Sequence, residues 1–156
     1  GGLIKAKKIN EDLGFVGEIT SINKSVIYDL LEKGYIPVIS TVGCDDEMNT
    51  YNINADTASS AIASALNAEC LISMTDTAGL LLDKNNPDSL ISKISVSEAC
   101  RLIREGKIEG GMIPKAECCI EAIRRGVKKV FIIDGRIPHS ILIETLTDEG
   151  IGTMFS

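Results

Sequence analysis

The spacing of apolar positions changes repeatedly along the chain. Over residues 15–22 apolar side chains alternate with small or polar ones, the period of a half-buried strand. Asn23 then offers a cap for a helix that runs through Leu31 and stops at Gly34. Residues 35–40 are rich in strand-forming types and open into a polar loop, Thr41 to Glu47, of the sort that carries function at strand ends. From Asn54 to Ala68 the period is helical, with Asp56, Thr57, Ser59, Ser60 and Ser64 set among alanines, which predicts a helix lying close against a sheet. A buried-type strand follows over residues 70–74, then Thr75-Asp76-Thr77-Ala78-Gly79, a short apolar run and a turn over residues 83–87. Ser95 and Glu98 have capping-box spacing and start a helix that ends near Gly106. Pro114 suits a first helical turn, and that helix runs through Arg125 to Gly126. Residues 128–133 predict a strand, residues 140–146 a helix and residues 151–155 a last short strand.

Strands alternating with helices through short connections predict an α/β fold, a mostly parallel sheet covered by helices on both faces. No repeat, low-complexity tract or linker interrupts the chain, so residues 1–156 are expected to form a single domain. Gly1-Gly2 leads straight into Leu3-Ile4-Lys5-Ala6-Lys7-Lys8 with no initiator Met and no capped first element, which reads as part of a longer protein.

Composition narrows the function classes. With 44% apolar and 24% charged residues, the chain can build a sizeable core without a disulfide or metal staple. A net charge of −6 and no long basic run argue against nucleic acid as a partner. Cys44, Cys70, Cys100, Cys118 and Cys119 show no CxxC spacing, and His139 is the single histidine, so no metal site is expected and reduced thiols in the cytoplasm are. No apolar run approaches the roughly 20 residues that span a bilayer, which argues against a membrane partner.

Two clusters carry candidate chemistry. In Tyr51-Asn52-Ile53-Asn54-Ala55-Asp56 two amides and a carboxylate crowd the mouth of a helix. Asn54 can cap that helix and Asp56 can favour its positive end, but the density of polar groups beside an alanine-rich helix points to a site, and free N–H groups there suit an anion. In Glu109-Gly110-Gly111-Met112-Ile113-Pro114-Lys115 a glycine pair lets backbone approach phosphate, and a lysine stands where the helix dipole disfavours positive charge; a bound anion relieves that mismatch. Neither a Walker A motif nor a strand-following GxGxxG is present. The strand-end segment Thr75–Gly79 is suited to a ribose or adenine edge, Cys118 and Cys119 fall within a helix, and His139 reads as a helix-start residue.

These segments, in this order and spacing, resemble the N-acetylglutamate kinases of the amino acid kinase family. Leu13-Gly14-Phe15-Val16-Gly17-Glu18 and Asp148-Glu149-Gly150-Ile151-Gly152-Thr153-Met154 add to the likeness and resemble the arginine-inhibited branch. The resemblance implies a carbamate kinase-like fold, here truncated on its N-terminal side, with the chain as the C-terminal ATP-binding domain and the N-terminal acetylglutamate-binding domain absent. It implies transfer of the γ-phosphoryl of ATP, with Mg²⁺ carried by the nucleotide, onto the side-chain carboxylate of N-acetylglutamate in arginine synthesis. By resemblance Asp56 organises the active-site lysines, Lys115 neutralises the transferring phosphoryl, and Asn52, with Asn54 beside it, holds acetylglutamate. Thr75, Asp76 and Gly79 then contact the nucleoside, Gly110, Gly111 and Met112 close over it, and Glu144 with Gly150 contributes to an inhibitory arginine pocket. The reading requires Asp56 and Lys115 to serve one polyphosphate. Such chemistry needs no general base, because a carboxylate is already an ionised nucleophile at neutral pH. The resemblance further implies binding of Mg-ATP or ADP without turnover by the isolated chain, and possible homo-oligomers. Another amino acid kinase acting on aspartate or glutamate, and a nucleotide- or arginine-sensing module without chemistry, are the competing readings.

Overall fold

The computed structural model describes residues 2–83 and 85–156; Gly1 of the opening glycine pair and Lys84 of the turn over residues 83–87 lie outside the described residues. The chain divides into two compact units, Gly1–Leu66 and Asn67–Ser156.

In the first unit β1 (Ile4–Lys8), β2 (Gly17–Ile22), β3 (Val42–Cys44) and β4 (Thr50–Asn52) form a sheet in the order β2-β1-β3-β4. Two hairpins, β1–β2 and β3–β4, are antiparallel and meet through a parallel β1–β3 pairing. Alternation decides which face is buried: Ile4 and Ala6 are 2% and 3% exposed, and Lys5 and Lys7 between and beyond them face outward. Two helices, α1 (Ser25–Glu32) and α2 (Ala55–Ala65), complete this unit. Ala58 of α2 joins Ile4, Ala6, Tyr51 and Ile53 in its core, flanked by Ile19, Ile22 and Ile62.

Two expectations for this unit need correction. Asn23 does not cap α1; Lys24 holds that position without a side-chain bond. The Asn23 N–H instead donates to Leu3 O at 2.8 Å, so the residue still belongs to the end of the β1–β2 hairpin. Residues 35–40 form no strand. Ile36 and Val38 are 90% and 96% exposed, and no ladder of backbone hydrogen bonds runs along the segment among the described residues. Strand propensity expresses fit to a paired, half-buried surface, and a segment without a pairing partner does not form a strand.

In the second unit β5 (Cys70–Thr75), β6 (Lys93–Ile94), β7 (Lys129–Asp134) and β8 (Thr153–Phe155) form a sheet in the order β5-β7-β8-β6. β5 and β7 run parallel, as do β6 and β8, whereas β7 and β8 are antiparallel. The helices are α3 (Val96–Arg104), α4 (Met112–Arg124) and α5 (Ser140–Leu146). Ile132 and Ile133, successive residues of β7 that point to opposite faces, are both 0% exposed, so this strand is covered on both sides. α4 packs on β7 and β8, and α5 packs on β7. Ser95 caps α3 by accepting from Glu98 N at 3.2 Å, as the capping-box spacing predicts. His139 stands at the N-cap of α5 with φ +60°, Cys119 is buried, and none of the five cysteines is in a disulfide.

The class is α/β, with mixed sheets flanked by helices. The antiparallel share arises mainly from the two hairpins of the first unit. Among the described residues no helix is long and apolar enough to cross a membrane.

Candidate active site

Each unit carries one of the clusters. In the first, the β3–β4 hairpin delivers Asn52, and its loop is built on Asp45. One oxygen of that carboxylate accepts from Glu47 N and Asn49 N at 3.0 and 2.9 Å, and the other accepts from Asn49 Nδ2 and Tyr51 Oη at 2.9 and 2.7 Å. Side-chain hydrogen bonds from Asn49 and then Tyr51 hold the Asp45 carboxyl below the usual carboxylate range, and Asp45 in turn raises the Tyr51 hydroxyl. Tyr51 and Ile53 turn into the core, so Asn52 and Asn54 are exposed by parity. Asn54 is the N-cap of α2, accepting from Thr57 N at 3.1 Å. Asp56 follows in the first turn and is half-buried, where the helix dipole favours its charge.

In the second unit two segments far apart in sequence line one hollow of about 540 Å³. Thr77 and Gly79 form part of its wall from the segment after β5, and Glu109 and Met112 form part from the start of α4; Leu80 and Ile108 are among its apolar residues. Thr75 ends β5 and Asp76 is exposed just beyond it. Thr77 Oγ1 is shut off from solvent and has no hydrogen-bond partner among the described residues. A buried hydroxyl without a partner is costly in a folded chain, and Ser140 Oγ, outside the lining of the hollow, is in the same state.

The glycines differ in what they do. At Gly79 φ is +149° and a methyl group would lie 2.5 Å from Thr153 Oγ1, so glycine is required there by the packing of this unit as well as lining the hollow. Gly110 has φ +58°, a conformation that favours glycine. Gly111 is different: it is the N-cap of α4 with φ −65°, and a methyl group there would meet no atom within 4 Å. Neither backbone nor packing calls for glycine at 111, and the space beside it is open. No side chain caps α4, and Lys115 is half-buried one turn further on.

Glu144 and Gly150 lie close together, but the glutamate already has work in the fold. Its Oε2 accepts from Ile151 N at 2.8 Å and Gly152 N at 3.1 Å, tying α5 to the approach of β8. The carboxyl end of β7 holds a further charged pair, Asp134 with Arg136, in which hydrogen bonds from Arg136 bring the Asp134 carboxyl down to about 2. The sequence pattern marks the polar loop that holds Asp45 without giving Asp45 itself a role, and it does not mark the Asp134–Arg136 pair. Both leave a faint signal, an acidic residue followed within a few positions by turn-forming or donor residues. Among the described residues no group of three or more His, Cys, Asp or Glu comes together to hold a metal ion.

The family model described as "Amino acid kinase family" matches residues 2–134. The chain belongs to the amino acid kinase family. Among curated relatives, the acetylglutamate kinase of Brachyspira hyodysenteriae is 54% identical over 99% of this chain and 54% of its own length. The chain spans about half the length of the curated relatives it matches. Among solved structures, an N-acetylglutamate synthase from Neisseria gonorrhoeae complexed with coenzyme A and L-arginine superposes with a TM-score of 0.88. It is 25% identical, over 100% of this chain and 37% of that one. A carbamate kinase from Giardia lamblia bound to AMP-PNP has a TM-score of 0.67 and 22% identity over 90% of this chain and 45% of its own, a likeness of fold alone.

Proposed function

We propose that this amino acid kinase chain supplies the nucleotide-binding part of an acetylglutamate kinase, an enzyme that transfers the γ-phosphoryl of ATP to the side-chain carboxylate of N-acetylglutamate. The observation that carries the reading is the hollow of the second unit, lined by Thr77 and Gly79 after β5 and by Glu109 and Met112 at the start of α4. Apolar walls with a few convergent polar groups suit a nucleoside. The open backbone at Gly110 and Gly111, followed by the uncapped start of α4, suits the phosphates. Relatives of acetylglutamate kinase name at about half identity support the acceptor.

The roles of the side chains follow from the reaction. The acceptor carboxylate is ionised and needs no base, so the task is to bring two anions together and to stabilise charge on the phosphoryl. Lys115 supplies positive charge for that phosphoryl, Asn52 and Asn54 offer amide hydrogen bonds to acetylglutamate, and Asp56 orients cationic side chains at the acceptor end. Thr75, Asp76, Thr77 and Gly79 hold the nucleoside, and Gly110, Gly111 and Met112 close over it. Mg²⁺ enters on the nucleotide's own phosphates and neutralises part of their charge.

Arginine is a further proposed ligand, at Glu144 and Gly150. Glu144 Oε2 is committed to two amides, which leaves Oε1 as the acceptor for a guanidinium. Support comes from the structural likeness to a synthase solved with L-arginine.

A thermal-shift panel with Mg-ADP, N-acetylglutamate and L-arginine tests the reading. Mg-ADP is expected to raise the melting temperature, and Thr77→Val and Lys115→Ala are each expected to remove most of that rise without lowering the ligand-free value by more than a few degrees. Stabilisation by arginine with none by Mg-ADP would favour a sensing module.

A further inference from the structure

The first unit leaves an apolar hollow of about 440 Å³ open beside β3. Val26 and Leu30 of α1, Val38 ahead of β3, Val42 within it and Met48 of the β3–β4 loop line this hollow, and they are between 37% and 96% exposed. Of the eight residues of α1 only Ile27 is buried. The described residues that line the hollow include no Asp, Glu, Lys, Arg or His, although 24% of the chain is charged. An exposed apolar face of this kind suits an interface with another stretch of polypeptide better than a site for a charged ligand.

Residues 37–40 form one wall, and their backbone says what kind of partner fits. The segment is held at its ends, where Tyr35 N donates to Leu30 O at 3.0 Å and Thr41 O accepts from Ile53 N at 2.9 Å. Between those points the described residues show no backbone hydrogen bond for residues 36–40. Exposure nevertheless alternates as in a strand, with Pro37 and Ile39 half-buried and Ile36, Val38 and Ser40 exposed. A small apolar ligand would fill the hollow and leave the backbone groups to water, whereas an added strand fills the hollow and pairs them as well.

We infer that residues 36–40 are a docking edge for the part of a longer protein that lies outside residues 1–156: a strand from that part adds to this edge and lays apolar side chains into the hollow. The length of the relatives supports this occupant, since the chain spans about half of each. The pairing also gives the strand composition of residues 35–40 its partner. The inference is independent of the proposed nucleotide site, whose hollow belongs to the second unit.

The test is hydrogen exchange at residues 36–40 in three samples. They are this chain by itself, the chain mixed with the part of the Brachyspira hyodysenteriae acetylglutamate kinase outside the match, and the two joined in one polypeptide. By itself the chain is expected to exchange there almost as fast as unstructured backbone. Mixing or joining is expected to slow that exchange roughly tenfold or more. Val38→Asp is expected to remove the slowing in the mixture, while moving the melting temperature of the chain by itself no more than about two degrees, because the side chain is 96% exposed. Should the separate part not fold, the joined polypeptide decides, and there Val38→Asp is expected to lower the melting temperature by several degrees. Unslowed exchange in every folded sample that contains the added part would overturn the inference. So would slowing in the chain by itself that grows with protein concentration, which would assign the face to a second copy. Either result leaves the nucleotide site standing, and failure of Mg-ADP to bind leaves this inference standing.

Discussion

At the scale of single residues, Gly111 is a glycine that neither backbone nor packing calls for. Its φ of −65° is open to any L-residue, and a methyl group there would touch nothing within 4 Å. Replacing such a glycine usually stabilises a protein by about 0.4–1 kcal/mol, because the unfolded chain loses freedom. Gly111→Ala is therefore expected to raise the denaturant midpoint slightly while weakening Mg-ADP binding severalfold, the two read from urea melts and calorimetry on the same protein. A drop in stability with unchanged binding would assign the glycine to the fold alone. Gly79 makes the opposite case: Thr153 Oγ1 would sit 2.5 Å from a methyl group, so substitution there reports on packing before it reports on binding. Reading the sequence could single out both glycines but could not tell them apart. The difference lies in φ and in a partner 74 positions away along the chain.

At the scale of elements, α5 and β8 are joined through one carboxylate. Glu144 Oε2 accepts two backbone N–H bonds, from Ile151 and Gly152, which fixes the strand entry against the helix. Hydrogen bonds to a charged acceptor contribute about 1.5–3 kcal/mol. Glu144→Ala is expected to lower the stability of this unit by an amount in that range, measured by thermal melting without any ligand, whereas a glutamate serving only arginine would leave the melt unmoved. Elements with a strong local signal were legible: the small-residue helix α2, the capped α3, the strand β7 and α5, whose bounds Ser140–Leu146 match the expected residues. Those defined by a partner were not. β1 buries only Ile4 and Ala6, β3 and β4 are three residues each, and residues 35–40 have strand composition but pair with no strand among the described residues. Pairing is a property of two segments, and a reading along one segment sees only half of it.

At the scale of the molecule, the two clusters fall in different compact units, with Asn52, Asn54 and Asp56 in Gly1–Leu66 and the segments proposed for the nucleotide, with Lys115, in Asn67–Ser156. The family is secured by a match over residues 2–134. The division of labour proposed for it, acceptor groups in one unit and nucleotide groups in the other, rests on the second unit's hollow as a nucleoside site. Electrostatics bears on the same point, since a chain of net charge −6 must gather its cations and open N–H groups where phosphates bind. Hydrogen exchange with and without Mg-ADP tests this most directly, because it reports where the ligand is felt along the backbone. The account predicts slowed exchange in two separate stretches, residues 75–82 and 106–115, with Thr77→Val reducing the protection in both. Binding of Mg-ADP that protects other stretches and leaves these two unchanged would contradict it.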